Sequence, residues 1–348
     1  MGGRVYLDWN ATAPLRPEAR AAMIAAMDVV GNPSSVHAEG RAARAIVERA
    51  RAQVAAALGA EGAEIVFTSG ASEAAALACA GRGLEAGDIE HDSVAAWVDA
   101  CLPVDSAGQV TVRDPARTAL QLANSETGVI QDLPVGLAVC DMTQAFGKLP
   151  VAVNWLGCEM ALVSAHKIGG PKGIGALVLR RGTEVAARIR GGGQELGRRA
   201  GTENVVGIAG FGAAAEAAQA EISAGKWVEI EHLRNILENT VVAGANETIF
   251  VGKAAQRLPN TSCFATPGWK GETQVMQMDL AGFAISAGSA CSSGKLRASR
   301  VLRAMGLGKD VAASAIRVSL GPGTTEEDVA RFAEAWLAAA ARVRARAG

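Results

Sequence analysis

Three short stretches of this sequence combine residue types that could act on a bound organic group. Asp141 closes the apolar run 137–140, and Lys167 follows the apolar run 160–163 by way of Ser164-Ala165-His166. Between the run 64–67 and an Ala-rich stretch lies Thr68-Ser69-Gly70-Ala71-Ser72-Glu73. A helix starting there would turn backbone N–H groups toward a phosphate. Taken singly these features are ordinary. Ser72 serves equally well as an N-cap, and a lone acid or lysine at a strand end is mostly solvated surface. Together they match one chemistry: an amine that forms an imine, and an acid that keeps a pyridinium nitrogen protonated, are what pyridoxal 5'-phosphate (PLP) asks of a protein.

The elements that must position these groups alternate in type. The stretch 36–58 reads as an amphipathic helix, with Ile46, Ala50, Val54 and Leu58 at four-residue steps and Gly59 ending it. Short apolar runs follow at 64–67, 119–123, 137–140, 160–163 and 175–179. Strands alternating with helices predict a mostly parallel sheet, with ligands gathered at the carboxyl ends of its strands. A long helical stretch near 203–240 leads away from this sheet. Strand-like segments recur at 284–286 and 316–319, and a last helix opens near 325 on the capping box Thr325-x-x-Asp328. A large α/β domain followed by a smaller α+β one is expected.

Composition excludes several classes. With 34 basic and 35 acidic residues the net charge is -1, so neither nucleic acid nor an anionic membrane is attracted in general. No run of 18 apolar residues suggests a membrane span, and the N-terminus does not resemble a signal peptide. Cys79, Cys101, Cys140, Cys158, Cys263 and Cys291 are widely spaced without a Cys-x-x-Cys pair. That pattern is neither a disulfide framework nor a zinc site, and it makes a cytoplasmic setting the default.

The motifs resemble, in order, those of cysteine desulfurases. They are Tyr6-Leu7-Asp8-Trp9-Asn10-Ala11-Thr12-Ala13-Pro14, Gly31-Asn32-Pro33-Ser34-Ser35, the 68–73 stretch, Glu90-His91, Asp141-Met142-Thr143-Gln144 and Ser164-Ala165-His166-Lys167. Gly191-Gly192-Gly193-Gln194-Glu195, Arg199-Ala200-Gly201-Thr202 and Ser286-Ala287-Gly288-Ser289-Ala290-Cys291 continue the match. The resemblance implies an α/β fold of PLP-dependent transferase fold type I in the class V aminotransferase superfamily. A mostly parallel, seven-stranded sheet would form a large domain at 11–222, and residues 1–10 and 223–348 a small domain bearing the Cys291 loop. It also implies roles. Lys167 would carry PLP as a Schiff base and then move the substrate Cα proton, and His91 would stack on the ring. Asp141 would hold the ring nitrogen, and Gln144 would bond the ring oxygen. Ala71, Ser72, Ser164 and His166 would hold the phosphate, with Thr202 reaching over from the second subunit of a homodimer. Arg317 would grip the substrate carboxylate, a geometry that suits guanidinium, assisted by Asn32.

Cys291 differs from the other five cysteines, which read as small apolar fillers. It sits in Gly288-Ser289-Ala290-Cys291-Ser292-Ser293-Gly294, followed by Lys295, Arg297 and Arg300. Small residues predict an exposed loop, and the cations favour the thiolate. The resemblance makes this thiol the acceptor of sulfur from L-cysteine and the donor to an iron–sulfur scaffold or a thiolation protein. A selenocysteine lyase, another class V aminotransferase and a weakly active partner-binding paralogue are the alternatives. Two departures from the family pattern stand out. Ser125 occupies the position of the second of two consecutive asparagines, which the resemblance implies contacts the cofactor. Its hydroxyl can still make one hydrogen bond there with a shorter reach, for which Asn124 or a water would compensate. The segment between Asn124 and Asp141 is short, and Pro134 and Gly136 predict a loop rather than a helix within 126–136.

Overall fold

The computed structural model describes residues 3–288 and 298–347. Its central sheet has five strands in the spatial order Glu64–Thr68, Gly175–Leu179, Met160–Ser164, Val139–Asp141 and Ala119–Gln121. The parallel pair Glu85–Gly87 and Asp99–Leu102 extends this row through a single bridge from Glu85 to Thr118. Seven strands therefore lie side by side, in a continuous sheet of five and an attached pair. Val139–Asp141 runs parallel to both neighbours, whereas Gly175–Leu179 is antiparallel to both of its own. The short 165–174 connection explains the reversal, because a parallel return needs a crossover of a dozen residues or more.

Every residue of Met160–Ser164 and Gly175–Leu179 is buried, as expected of strands covered on both faces. Val47, Ala50 and Val54 of helix Ala38–Ala57 and Phe211 of helix Val205–Ser223 pack against Phe67, Val163 and Val178 on one face. Ala74, Leu77 and Ala78 of helix Ala71–Cys79 pack against Val66, Leu162 and Leu177 on the other. The strand tips that carry Asp141 and Ser164, with Lys167 just beyond, are thus held from two sides.

A second, antiparallel sheet runs in the order Ser286–Ala287, Ala315–Ser319, Thr261–Ala265 and Ile249–Phe250. Its core joins helices Lys226–Gly244 and Glu326–Ala347 through Phe264, Trp269, Phe332 and Trp336. Among the described residues no helix is long and apolar enough to cross a membrane.

Two differences from the sequence expectation have local causes. The helical stretch near 203–240 is two helices, broken where Gly225 takes the left-handed conformation at φ 75°. The strand expected at 284–286 is split into Phe283–Ala284 and Ser286–Ala287, which pair with different partners. The segment 126–136 carries no helix. Asn124 organises a tight turn there instead, its Oδ1 accepting from the N–H groups of Glu126 and Thr127, each at 2.9 Å.

The N-terminal segment is what ties the second sheet to the strand tips of the first. Val5–Tyr6 pairs with Phe283–Ala284, Asp8 bridges Ser319, and Asn10 follows directly. Gly321 lies flat against the Trp9 ring, and a Cβ at 321 would stand 2.0 Å from the ring carbon Cδ2. Gly321→Ala must therefore displace Trp9 and the segment leading to Asn10. The expected cost is about 1–3 kcal/mol, the usual range for overpacking, read as a lower urea midpoint with an unchanged slope.

Candidate active site

One cavity of about 690 Å³ opens where the strand tips, the N-terminal segment and the second sheet meet. Of the residues singled out by sequence, Ala71, Ser72, His91, Ser125, Asp141, Gln144, Ser164, His166, Lys167 and Arg317 all line it. Cys291 lies outside the described residues. Asn32 and Thr202 do not line the cavity and are exposed on this chain. The Asn32 side chain caps its own turn, accepting from the Ser34 N–H at 2.9 Å, so its expected help to Arg317 has no counterpart within the chain.

The phosphate-suited corner is built from backbone. Helix Ala71–Cys79 starts at Gly70, whose N-cap position makes no side-chain capping bond, so Ser72 is not the cap. Gly70, Ala71 and Ser72 at the start of this helix line the cavity beside Ser164 and His166. His166 is held down to about 4, by burial first and then by the charges of Lys167, Lys172 and His91. At neutral pH it is an uncharged imidazole, with Nδ1 3.2 Å from Thr12 Oγ1.

Lys167 Nζ donates to the carbonyls of Asn10 at 2.7 Å and Ala11 at 3.0 Å. Asp141, at a buried strand end, accepts from the Thr143 N–H at 2.8 Å. His91 precedes a one-turn helix and uses Nδ1 toward the Ser93 N–H at 3.1 Å and the Ser93 hydroxyl at 2.8 Å, which leaves Nε2 for the cavity. Arg317 is buried on Ala315–Ser319. Its Nη2 donates to Asp8 at 2.8 Å and its Nη1 to the Ser125 carbonyl at 2.9 Å, while Nε is buried without a partner among the described residues. Ser286 Oγ also donates to Asp8, so this carboxylate is what aims the guanidinium.

Several lining residues escaped the sequence reading: Asn10, Thr12, Gln121, Thr143 and Lys172. Asn10 and Thr12 stood in a quoted motif, and Thr143 flanked Asp141, but nothing in their type marked them. Asn124 is a correction. Its side chain is spent on the Ile89 carbonyl and on the 126–127 turn, so it cannot stand in for an asparagine at 125.

The thiols separate as well. Burial pushes Cys79 and Cys263 up to about 12 and Cys158 up to about 11, and it lifts Cys140 well above its ordinary value. These four stay protonated at neutral pH. Cys101 is exposed rather than a core filler. Arg300, expected to bias the Cys291 thiol, is paired with Asp88 at 2.6 Å and Asp92 at 3.2 Å, which offsets its charge.

A sheet of this topology with a lysine, an aspartate and a helix N-terminus around one cavity matches a known family. The Aminotransferase class-V family matches residues 5–332, and the chain belongs to it. The chain is 40% identical to a cysteine desulfurase of Cereibacter sphaeroides, across 95% of this chain and 94% of that protein. It is similar to the X-ray structure of a NifS-like protein from Rickettsia africae ESF-5, with a TM-score of 0.86 and 31% identity over 96% of this chain and 98% of that one. It is also similar to a structure of SspA in complex with cysteine, with a TM-score of 0.74 and 28% identity over 92% of this chain and 100% of that one.

Behind Asp141 lies a second carboxyl. Glu90 is fully buried, accepts the Gln121 N–H at 3.0 Å through Oε1, and leaves Oε2 without a partner among the described residues. Burial pushes it up to about 8, the Asp141 charge adds to the rise, and the Gln121 N–H and Arg300 oppose it. The folded protein therefore keeps a proton that the unfolded chain releases near 4.5. This contribution to stability is complete below 4.5 and is lost as pH rises through about 8. Glu90→Gln, neutral at every pH, should gain thermal stability over the parent at pH 9 and little or none at pH 5. Equal shifts at both pH values would contradict this account.

Proposed function

We propose that this chain is a PLP-dependent cysteine desulfurase, removing sulfur from L-cysteine to give L-alanine and a persulfide on Cys291. The observation that carries the reading is the convergence of Lys167, Asp141, Arg317 and an uncapped helix N-terminus on one cavity. The cavity residues fit the group. Backbone N–H groups, Ser72, Ser164 and neutral His166 suit a phosphate, Asp141 suits a ring nitrogen, and Gln144 suits a ring oxygen. Bound there through Lys167, PLP supplies an electron sink for the substrate Cα–H bond.

The chain's own groups do the rest. Arg317, aimed by Asp8 and Ser125, holds the substrate carboxylate. Lys167 moves the Cα proton, and the two carbonyls beside Nζ keep the amine over the cavity. The Cys291 thiolate takes the sulfur, and a sulfur-acceptor protein such as an iron–sulfur scaffold or a thiolation protein removes it. Thr202, exposed on this chain, acts in the partner's cavity of a homodimer. Residues 11–222 form the cofactor-binding domain, and 1–10 with 223–348 the domain bearing the thiol.

Lys167→Ala should lose the visible absorption gained with PLP and lower alanine formation from L-cysteine by about 10²–10⁴-fold or more, the range for losing an acid–base group. Cys291→Ala should keep the absorption but form no persulfide, and sulfide release with an external thiol should fall to background. Cys101→Ala, the control at the exposed thiol, should behave as the parent. A colourless parent, or undiminished sulfide release from Cys291→Ala, would count against the proposal.

A further inference from the structure

Lys148 is buried behind the cavity, four residues after Gln144 and outside every role assigned above. Its Nζ donates to Gln144 Oε1 at 2.6 Å and to Asn10 Oδ1 at 2.9 Å, both neutral oxygens. Burial and the neighbouring charges of Lys167 and Arg317 lower its pKa well below the ordinary value for lysine. A cation or amine placed there at such cost calls for a reason beyond packing.

Gln144 supplies it. Lys148 Nζ donates to the oxygen of the Gln144 amide, so that end of the amide faces Lys148. The nitrogen end then faces the cavity, where Nε2 donates one hydrogen to the Asn10 carbonyl at 2.9 Å. That carbonyl can only accept, so it makes the same demand from the opposite side. The second hydrogen of the NH2 group remains for whatever the cavity holds. Donation by Lys148 into Oε1 also polarises the amide and strengthens its N–H as a donor.

We propose that Lys148 is a positioning residue that holds the Gln144 amide by its oxygen, so that the NH2 end is presented as a hydrogen-bond donor to the anionic ring oxygen of the cofactor. This rests on the PLP reading above. A donor on that oxygen stabilises its anion and weakens the anion's hold on the proton it shares with the Lys167 nitrogen. Without the donor the proton is held more tightly, and the visible absorption change of the bound cofactor moves to higher pH.

The test is the pH midpoint of that absorption change in protein loaded with PLP, for the parent, Lys148→Met, Gln144→Leu and the double variant. Each single variant should raise the midpoint by about one to two pH units, the worth of one hydrogen bond to a charged acceptor. The double variant should shift no further than Gln144→Leu alone, because Lys148 acts through Gln144. An unchanged midpoint in folded Lys148→Met, or shifts that add in the double variant, would overturn the proposal. If Lys148→Met does not fold, Lys148→Gln carries the test. Its neutral amide cannot polarise Gln144 as lysine does, so the midpoint should rise, and an unmoved midpoint overturns the idea. A parent that shows no visible band with PLP defeats the cofactor reading itself, an outcome distinct from all of these.

Discussion

Asn10 spends every polar atom it owns, and the cavity depends on how they are spent. Its N–H donates to Ser319 Oγ at 3.0 Å, and its carbonyl accepts from Lys167 Nζ and Gln144 Nε2. Its Oδ1 accepts from Lys148 Nζ and from Asn260 Nδ2 at 3.0 Å, and its Nδ2 donates to Thr261 Oγ1 at 2.8 Å and the Ser125 carbonyl at 3.2 Å. One buried residue thus joins the lysine, the cavity-lining glutamine, the 125 turn and two strands of the second sheet. Buried polar networks favour a unique geometry only when fully satisfied, and this one has no loose end at its centre.

The network also carries an electrostatic consequence. The charges of Lys167 and Arg317 both depress Lys148, while Asp8 pairs with Arg317 and Asp141 lines the same cavity as Lys167. Lys167, Lys172 and Arg317 line the cavity and suit an anionic guest, such as a phosphate at the helix N-terminus or a carboxylate at Arg317. Neutral His166 belongs to the same balance, since a further cation beside Lys167 and Lys172 is what burial and repulsion suppress.

This balance separates what could be read in the sequence from what could not. Lys167, Asp141 and the 68–73 turn were legible because each follows an apolar run, and a polar residue at a strand tip has a predictable direction. Gly175–Leu179 was legible as a strand, but its antiparallel direction was not. The Asn10–Lys148 pairing was invisible for a physical reason: it spans 138 positions and exists only once the two sheets meet. Asn32 and Thr202 came from family pattern alone, and the cavity of a single chain does not include them. Asn124 was misjudged because its side chain was compared by type, when the turn at 126–127 had already claimed it.

Ser125 is the remaining departure, and the geometry narrows what it can change. The contacts that position 125 makes to the rest of the site run through its backbone carbonyl, which receives Arg317 Nη1 and Asn10 Nδ2. A backbone carbonyl is the same in serine as in asparagine, so the anchoring of Arg317 and of the Asn10 hub is indifferent to the substitution. Only the side chain facing the cavity differs, shorter and with a hydroxyl in place of an amide. The difference therefore falls on what the cavity holds and not on the frame that shapes it. A serine is compatible with that frame because the turn's demands on side chains are met one residue earlier, by Asn124.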